Sequence, residues 1–528
     1  MSVSEQLSSA TQDHAMAGVS APPAQTEHAG SVATFLLLLA VAVLWQVRWG
    51  TIPDTSWLII VCERMLSGER LYTQLHEVNP PFSVWLYLPP VAAARIFGMA
   101  PEILVQAWTY LAGLIGVWFS GTIVRRAGFP ERPTLFALGP AFFAVLVIFP
   151  GNVFSQREHI GVALFLPLLA LHAWRARNDA EAEPSPGIAV LAGLCGSVLL
   201  LVKPYYAVMV LASALLVAGR RRSLKPIFAL EHWVIAGICV AYLAAVIRTH
   251  PEFLRDVYPL LVELYGKGGA SAHVMAYYGC AWLFLAFLAL WSWPVGRFPE
   301  LAAVALAASA AALVPLFYQA KGWPYHAYPA LSLAVAANFC LLALPRMKRQ
   351  SAGLLSYLAV PPPGLISLAI MVAFVLNWPT QKPNSAVVAT IRAATFEPTV
   401  AIITPDLDTA HPLTGMIGGR FVSAEAHDWI GQVAAARYEE AALGGDAIRA
   451  AHYQTIMTRY AEGKRQEFER LRPDLIVMKI DDGPWTRQLI GHFGFDRLLA
   501  GYRVLLERGR LRIYLRNDYV RPNPPPAG

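Results

Sequence analysis

The chain of 528 residues is 56% hydrophobic and only 15% charged, and its mean hydropathy is +0.45. This composition excludes a soluble protein of this length and is typical of a polytopic membrane protein. The net charge of +7 is modest, and the basic residues stand in short clusters between apolar runs, so the sequence indicates membrane topology and no nucleic-acid partner.

The N-terminal segment, residues 1–32, is rich in Ala, Ser and Gln and contains neither Lys nor Arg. A secretory signal would begin with a basic region, which this segment lacks. We therefore expect 1–32 to be a disordered cytoplasmic leader.

Apolar runs follow one another from residue 33 to residue 378, and a helix needs about 20 such residues to cross a bilayer. The candidate runs are 33–50, 82–97, 103–124, 134–149, 160–174, 188–202, 204–218, 233–247, 273–293, 301–318, 327–345 and 358–378. Together they predict a transmembrane domain over 33–378.

Basic connections assign the sides of the membrane, because Lys and Arg collect in cytoplasmic loops. These connections are Arg125, Arg126 and Arg132; Arg175 and Arg177; Arg220, Arg221, Arg222 and Lys225; and Arg346, Lys348 and Arg349. The helix 103–124 ends at Arg125 in the cytoplasm and therefore begins outside. The leader is cytoplasmic too, so the first helix places residues 51–81 outside as well. The run 82–97 therefore cannot cross the membrane, and Pro89-Pro90 interrupts it. We predict an interfacial or re-entrant segment there, about 11 crossings in total, and an external loop over 51–102.

The other connections predicted to be external carry polar side chains that are costly near a bilayer. With the external loop they contribute Asp54, Asn79, Arg157, Glu158, His159, Lys203, Tyr205, Lys321, Tyr325 and His326. A carboxylate can act as a general base, cations can hold a phosphate, and aromatic rings can stack on a sugar. The sequence therefore predicts an external polar site.

Each of these residues also has a structural interpretation. Lys203, before Pro204, can snorkel to the interface, and Tyr325 can belong to an aromatic belt. Arg157 and Glu158 can form a surface ion pair of little energetic weight.

The segment 379–528 differs from the apolar body, since it holds 19 of the 42 Lys and Arg residues and 17 of the 35 Asp and Glu residues. Short β-branched runs such as "TVAIITP" and "DLIVMKI" alternate with helical stretches, so we predict a soluble periplasmic α/β domain. This segment has no H-E-x-x-H motif, and the five cysteines of the chain lack C-x-x-C spacing, so we assign no metal-ligating residue.

The order of the motifs after the first helix resembles one family. An external Asp54 is followed by "LSGERLY" (66–72), "NPPFSVWL" (79–86) and Phe97-Gly98. This order is similar to the GT-C superfamily of polyprenyl-phosphate-sugar glycosyltransferases, in particular the bacterial relatives of protein O-mannosyltransferases and of the lipid A aminoarabinose transferase. Those members read D-G-x-Y where this chain has "DTSW".

The resemblance implies a GT-C-like fold and an inverting sugar transfer from a polyprenyl-phosphate carrier to an envelope glycan, lipid or protein. It places the enzyme in the bacterial inner membrane with its site at the periplasmic face. Asp54 takes the position of the general base, and Glu158 stands where relatives carry a second acid. Some members use a divalent metal and others do not, so the resemblance names no certain cofactor.

A lipid-linked-sugar flippase or transporter without transferase activity is the alternative. Transporters place polar residues near the bilayer midplane and often show internal repeats. In this sequence the polar residues stand at helix ends on one predicted side, and no repeat is evident.

Overall fold

The protein is described by a computed structural model. It covers residues 24–343 with gaps at 179–182, 265, 267–268 and 293–297, then 382–522 without 482. Between them it describes positions 366, 369, 373 and 375. Most of the leader, most of the run 358–378 and all of the basic connection 346–349 lie outside the described residues.

Helices build the N-terminal two thirds of the chain. The helices are α1 (Ala24–Val47), α2 (Pro53–Leu66), α3 (Phe82–Trp85), α4 (Leu88–Phe97), α5 (Pro101–Arg126), α6 (Arg132–Ala137), α7 (Gly139–Val147), α8 (Arg157–Ala176), α9 (Pro186–Val202), α10 (Ala207–Arg221), α11 (Leu230–Thr249), α12 (Tyr258–Leu264), α13 (Ala272–Trp291), α14 (Glu300–Gln319) and α15 (Pro324–Leu342). Among the described helices, six are long and apolar enough to cross a membrane, namely α5, α8, α11, α13, α14 and α15. Shorter apolar helices accompany them, and the protein is a multi-pass membrane protein.

Two predicted runs take a different form from a single long helix. The run 134–149 is divided between α6 and α7, whose junction lies beside Pro140. The run 82–97 forms α3 and α4, of 4 and 10 residues, and neither is long enough to span the bilayer. Proline interrupts both runs, because it lacks the N–H group that continues a helix.

The helices approach one another closely where their facing residues are small. A Cβ atom on Gly116 of α5 would lie 2.1 Å from the carbonyl oxygen of Ala163 in α8. A Cβ atom on Gly196 of α9 would lie 2.6 Å from Leu168 Cδ2, also in α8. Small residues thus let α5 and α9 pack directly on α8, and 83% of the apolar stretch of α8 is buried.

The C-terminal domain is a mixed α/β structure. Its elements are α16 (Ser385–Ala394), β1 (Thr399–Ile403), α17 (Leu413–Met416), β2 (Arg420–Phe421), α18 (Trp429–Leu443), α19 (Ala447–Leu471), β3 (Leu475–Lys479), α20 (Pro484–Gly491), α21 (Phe495–Leu499), β4 (Tyr502–Arg508) and β5 (Leu511–Arg516). The strand order is β2-β1-β3-β5-β4, with β1 parallel to both β2 and β3 and β5 antiparallel to β3 and β4. The α/β class predicted for this segment is confirmed.

The loop 51–102 and the C-terminal domain share one apolar core. Trp57 of α2 lies 5.6 Å, ring centroid to ring centroid, from both His411 and Phe421. The backbone N–H of His76 donates to Ala424 O at 2.8 Å, and its Nδ1 lies 3.1 Å from Glu425 Oε1. The domain is thereby fixed directly over the loop.

The predicted topology can be tested by cysteine labelling in a background without the native cysteines. Ala451 in α19 and Arg222 directly after α10 are both exposed. We expect a membrane-impermeant maleimide to label Ala451→Cys in intact spheroplasts and to label Arg222→Cys only after the spheroplasts are lysed. Labelling of position 222 in unbroken spheroplasts would contradict the assignment of sides.

Candidate functional site

A cavity of about 1220 Å³ lies between the helix ends of the membrane domain, the loop 51–102 and the C-terminal domain. Its lining includes apolar side chains such as Val208, Val262 and Val314 as well as charged side chains. Eight of the predicted site residues border this cavity: Asp54, Asn79, Arg157, Lys203, Tyr205, Lys321, Tyr325 and His326. The fold thus brings together residues that are far apart in the chain.

Asp54 lies in the first turn of α2, which begins at Pro53 because proline favours the first helical position. The N-cap residue is Ile52, and no side chain caps this helix, so Asp54 is not held there by a capping role. Its Oδ1 accepts a hydrogen bond from Arg157 Nη2 at 3.2 Å. Burial raises the pKa of Asp54, although the charge of Arg157 acts in the opposite direction.

Arg157 and Glu158 open α8, and each pairs with a different partner. Arg157 is 2% exposed and pairs with Asp54, whereas Glu158 is 0% exposed and pairs with Lys203. These are buried ion pairs between separate elements, so the interpretation of Arg157 and Glu158 as a surface pair is wrong. A carboxylate in the first turn is also favoured by the helix dipole.

Lys203 occupies the break between α9 and α10, where Pro204 prevents continuation of the helix. Lys203 pairs with Glu158, and its Nζ also lies 3.2 Å from Nε2 of His326 and 5.2 Å from the ring centroid of Tyr325. The lysine therefore points into a polar pocket and does not snorkel away from the protein.

Two predicted site residues do not border the cavity, because successive residues of a helix point about 100° apart. Glu158 reaches the site only through Lys203. His159 accepts from Ser155 N–H at Nδ1 (3.2 Å) and donates from Nε2 to Leu146 O (2.5 Å). The structure therefore places His159 as an anchor of the connection before α8, away from the position predicted for substrate binding.

That connection is held in an unusual conformation. Ser155 has φ = +66°, which non-glycine residues rarely adopt. Its carbonyl oxygen accepts hydrogen bonds from Tyr87 Oη at 2.6 Å and from Thr55 Oγ1 at 3.2 Å. Contacts from α2 and from the residue before α4 thus fix the backbone that presents Arg157.

Lys321 lies between α14 and α15 and also lines the cavity. Its Nζ is 5.0 Å from the ring centroid of Trp323. Burial and then the nearby charge of Lys203 lower the pKa of Lys321 to about 7. This lysine consequently changes its charge near neutral pH.

The loop 51–102 also contributes a buried acid, Glu77, which belongs to the polar residues of the sequence in this loop. Glu77 Oε1 accepts from the backbone N–H of Asn79 at 2.7 Å, and Oε2 accepts from the indole N–H of Trp57. Burial raises the pKa of Glu77, with Arg157 opposing. Asn79 therefore acts in part by holding this carboxylate.

The roof of the cavity comes from the C-terminal domain and was missed by the sequence reasoning. Its polar members are Asp406, Asp408 and His427, which follow β1 and β2. The carboxyl ends of parallel strands commonly form ligand sites, so "TVAIITPDLD" carried a usable signal. Burial raises the pKa of Asp408 and, more strongly, lowers that of His427, to about 4.

Among the residues that the structure describes, the acids and histidines around the cavity form no cluster of convergent metal ligands. Within the described ranges, convergent ligand atoms occur at His172, Glu231 and His232, which do not border the cavity. The cavity thus combines three carboxylates of raised pKa, those of Asp54, Glu77 and Asp408, with several cations.

Comparison with known proteins supports the fold but offers no close relative. No protein-family model matches the chain, and no curated protein sequence matches it significantly. The structure is similar to that of ArnT from Cupriavidus metallidurans bound to undecaprenyl phosphate, with 16% identity, a TM-score of 0.55, and coverage of 93% of this chain and 99% of that chain. The apo state of that protein matches with 16% identity, a TM-score of 0.51, and coverage of 92% and 98%. The chain has a GT-C fold along most of its length, as the sequence resemblance implies.

The buried pair of Glu158 and Lys203 generates a stability prediction. We expect Lys203→Met to lower the free energy of unfolding by about 3–5 kcal/mol, because Glu158 is then buried without its partner. The double variant Glu158→Gln/Lys203→Met should recover most of this loss. The measurement is thermal denaturation in detergent, with Tyr205→Phe as an uncharged control beside Lys203. Equal destabilisation by the single and double variants would contradict the ion-pair assignment.

Proposed function

We propose that this protein is an inverting glycosyltransferase of the bacterial inner membrane. It moves a sugar from a polyprenyl-phosphate carrier to an envelope acceptor at the periplasmic face. The observation that carries the proposal is the Asp54 carboxylate, paired with the buried Arg157, in a large cavity that Lys203 and Lys321 also line. The fold shared with ArnT, which has been solved with undecaprenyl phosphate, supports the choice of lipid carrier.

The geometry suits a single displacement at the anomeric carbon. The acceptor hydroxyl attacks that carbon while its proton passes to Asp54, and the bond from the anomeric carbon to the phosphate oxygen breaks. The leaving polyprenyl phosphate gains one negative charge. Arg157, Lys203 and Lys321 supply positive charge close to it, which lowers the free energy of the transition state.

Asp54 suits the role of base because burial raises the pKa of its carboxyl group while Arg157 fixes its position. A base of higher pKa takes a proton more readily. Glu158, the second acid, supports the site indirectly by holding Lys203 in place. The apolar part of the cavity wall is suited to the first isoprenoid units next to the phosphate.

The direct experiment incubates the detergent-purified protein with polyprenyl-phosphate sugars and measures release of polyprenyl phosphate. Mass spectrometry of envelope glycolipids and polysaccharides from a strain without the gene then identifies the sugar and the acceptor. Binding of the donor with no release in the presence of envelope extract would contradict the transferase and indicate a lipid-linked-sugar transporter.

Replacement of Asp54 by Asn tests the base. General-base catalysis contributes about 10²- to 10⁴-fold, so we expect kcat to fall by that factor while donor binding is retained. The fall of kcat/KM at acidic pH, caused by protonation of Asp54, should also disappear. Asp408→Asn makes the same chemical change in the roof of the cavity and serves as the matched control. Near wild-type turnover of Asp54→Asn at saturating donor would disprove the assignment.

Lys321 predicts a pH dependence of donor binding. A lysine with a pKa near 7 is charged below that pH and neutral above it. The phosphodiester of the donor keeps a constant charge in this range. We therefore expect the dissociation constant of the donor to rise between pH 7 and pH 9. Lys321→Arg should abolish this rise, because a guanidinium remains protonated throughout. A wild-type pH profile in Lys321→Arg would show that another group is responsible.

A further inference from the structure

A second group of polar side chains lies far from the cavity, at the other end of α8. His172 follows Arg157 by 15 residues, which corresponds to about 22 Å along the helix. Glu231 and His232 occupy the first turn of α11 and meet His172 there. One ligand atom from each of the three lies within 4.8 Å of the others.

The two imidazole rings face each other through the same type of nitrogen. Nε2 of His172 is 3.1 Å from Nε2 of His232. Two histidines on one tetrahedral zinc ion, with Zn–N bonds of about 2.0–2.1 Å, place their nitrogens about 3.3 Å apart. The observed separation thus matches that of two ligands on one ion.

Ser213 of α10 fixes the tautomer of His172. Its hydroxyl lies 2.9 Å from Met209 O and 3.0 Å from Val210 O, so its proton is directed to the helix backbone. The serine oxygen, 2.9 Å from Nδ1 of His172, then accepts a hydrogen bond from that nitrogen. Nε2 of His172 consequently carries a lone pair, and it is aimed at His232. Metal-ligating histidines use an outer hydrogen bond of this kind.

An arginine holds the carboxylate of the cluster in place. Arg175 donates to both oxygens of Glu231, from Nε at 2.6 Å and from Nη2 at 2.9 Å, and thereby orients the carboxylate. Each oxygen retains a second lone pair for coordination. Glu183 lies 3.7 Å from both Arg175 and Arg221, so two carboxylates accompany two guanidiniums. With the histidines neutral, these charges cancel, so no net positive charge of the protein opposes a bound cation.

We propose that His172, His232 and Glu231 bind a structural Zn²⁺ ion that joins α8 to α11. Two imidazoles and a carboxylate are a ligand set that zinc accepts, and water can complete the tetrahedron. The ion joins two helices that are far apart in the sequence. The site lies on the side of the membrane that is predicted to be cytoplasmic. This proposal does not depend on the activity at the cavity.

The test uses the full chain in detergent, with the affinity tag removed and metals stripped by a chelator. After incubation with Zn²⁺ and gel filtration in metal-free buffer, elemental analysis should find about one zinc ion per chain, and added Zn²⁺ should raise the denaturation temperature. His172→Ala and His232→Ala should abolish both effects. His452→Ala, which removes an exposed histidine paired with Glu263, is the matched control and should retain them.

Two further measurements keep the proposal testable if a histidine variant fails to fold. Ser213→Ala leaves all three ligands in place and should weaken zinc affinity about 10- to 100-fold while saturating zinc still restores one equivalent. Co²⁺ added to the stripped wild-type protein should give intense visible absorption bands that Zn²⁺ removes. The proposal would be overturned if the wild-type protein bound no zinc or showed no cobalt bands. It would also be overturned if His452→Ala lost zinc to the same extent as the ligand variants.

Discussion

The cost of burying charge is the constraint on which the arrangement of this protein depends. Arg157 and Glu158 are adjacent in sequence, and both are buried at the end of a membrane helix. An unpaired charge in that environment costs several kcal/mol, so each requires a partner of opposite sign. Asp54 and Lys203 provide these partners from two other parts of the chain. The requirement fixes both the position of α2 against the membrane domain and the direction in which the break after α9 faces.

The sequence carries enough information for the architecture because architecture follows from composition and proline placement. Long apolar runs predicted the membrane helices, Pro204 marked the break beside Lys203, and β-branched runs between turn residues predicted the C-terminal sheet. The division of 134–149 into two helices was not predicted, since an apolar run alone does not reveal where a helix is interrupted. Pro140 was the local signal available there.

The candidate site is harder to predict from the sequence, because it depends on the rotation of α8 about its axis and on tertiary contacts. Placing Arg157 toward the cavity and His159 away from it requires the residue at which α8 begins, which Gln156 determines through its side-chain hydrogen bond to Arg157 N–H. Helix boundaries are the least certain part of such a prediction. The strand-end position of Asp406 was a local signal for a ligand site, but its place in the roof of this cavity, with His427, depends on how a separate domain packs.

The apolar core shared by the loop 51–102 and the C-terminal domain has a consequence for biogenesis. Trp57 is synthesised about 360 residues before Phe421, its partner in that core. At about 5–20 residues per second, translation of the intervening chain takes roughly 20–70 s. During that interval the part of α2 that will pack on the C-terminal domain, including the Trp57 ring, lacks this cover, so the nascent chain must shelter it at the bilayer surface or on a chaperone. A ribosome that stalls before the last third of the message would therefore leave an inserted protein with an exposed hydrophobic loop, a ready substrate for membrane proteases.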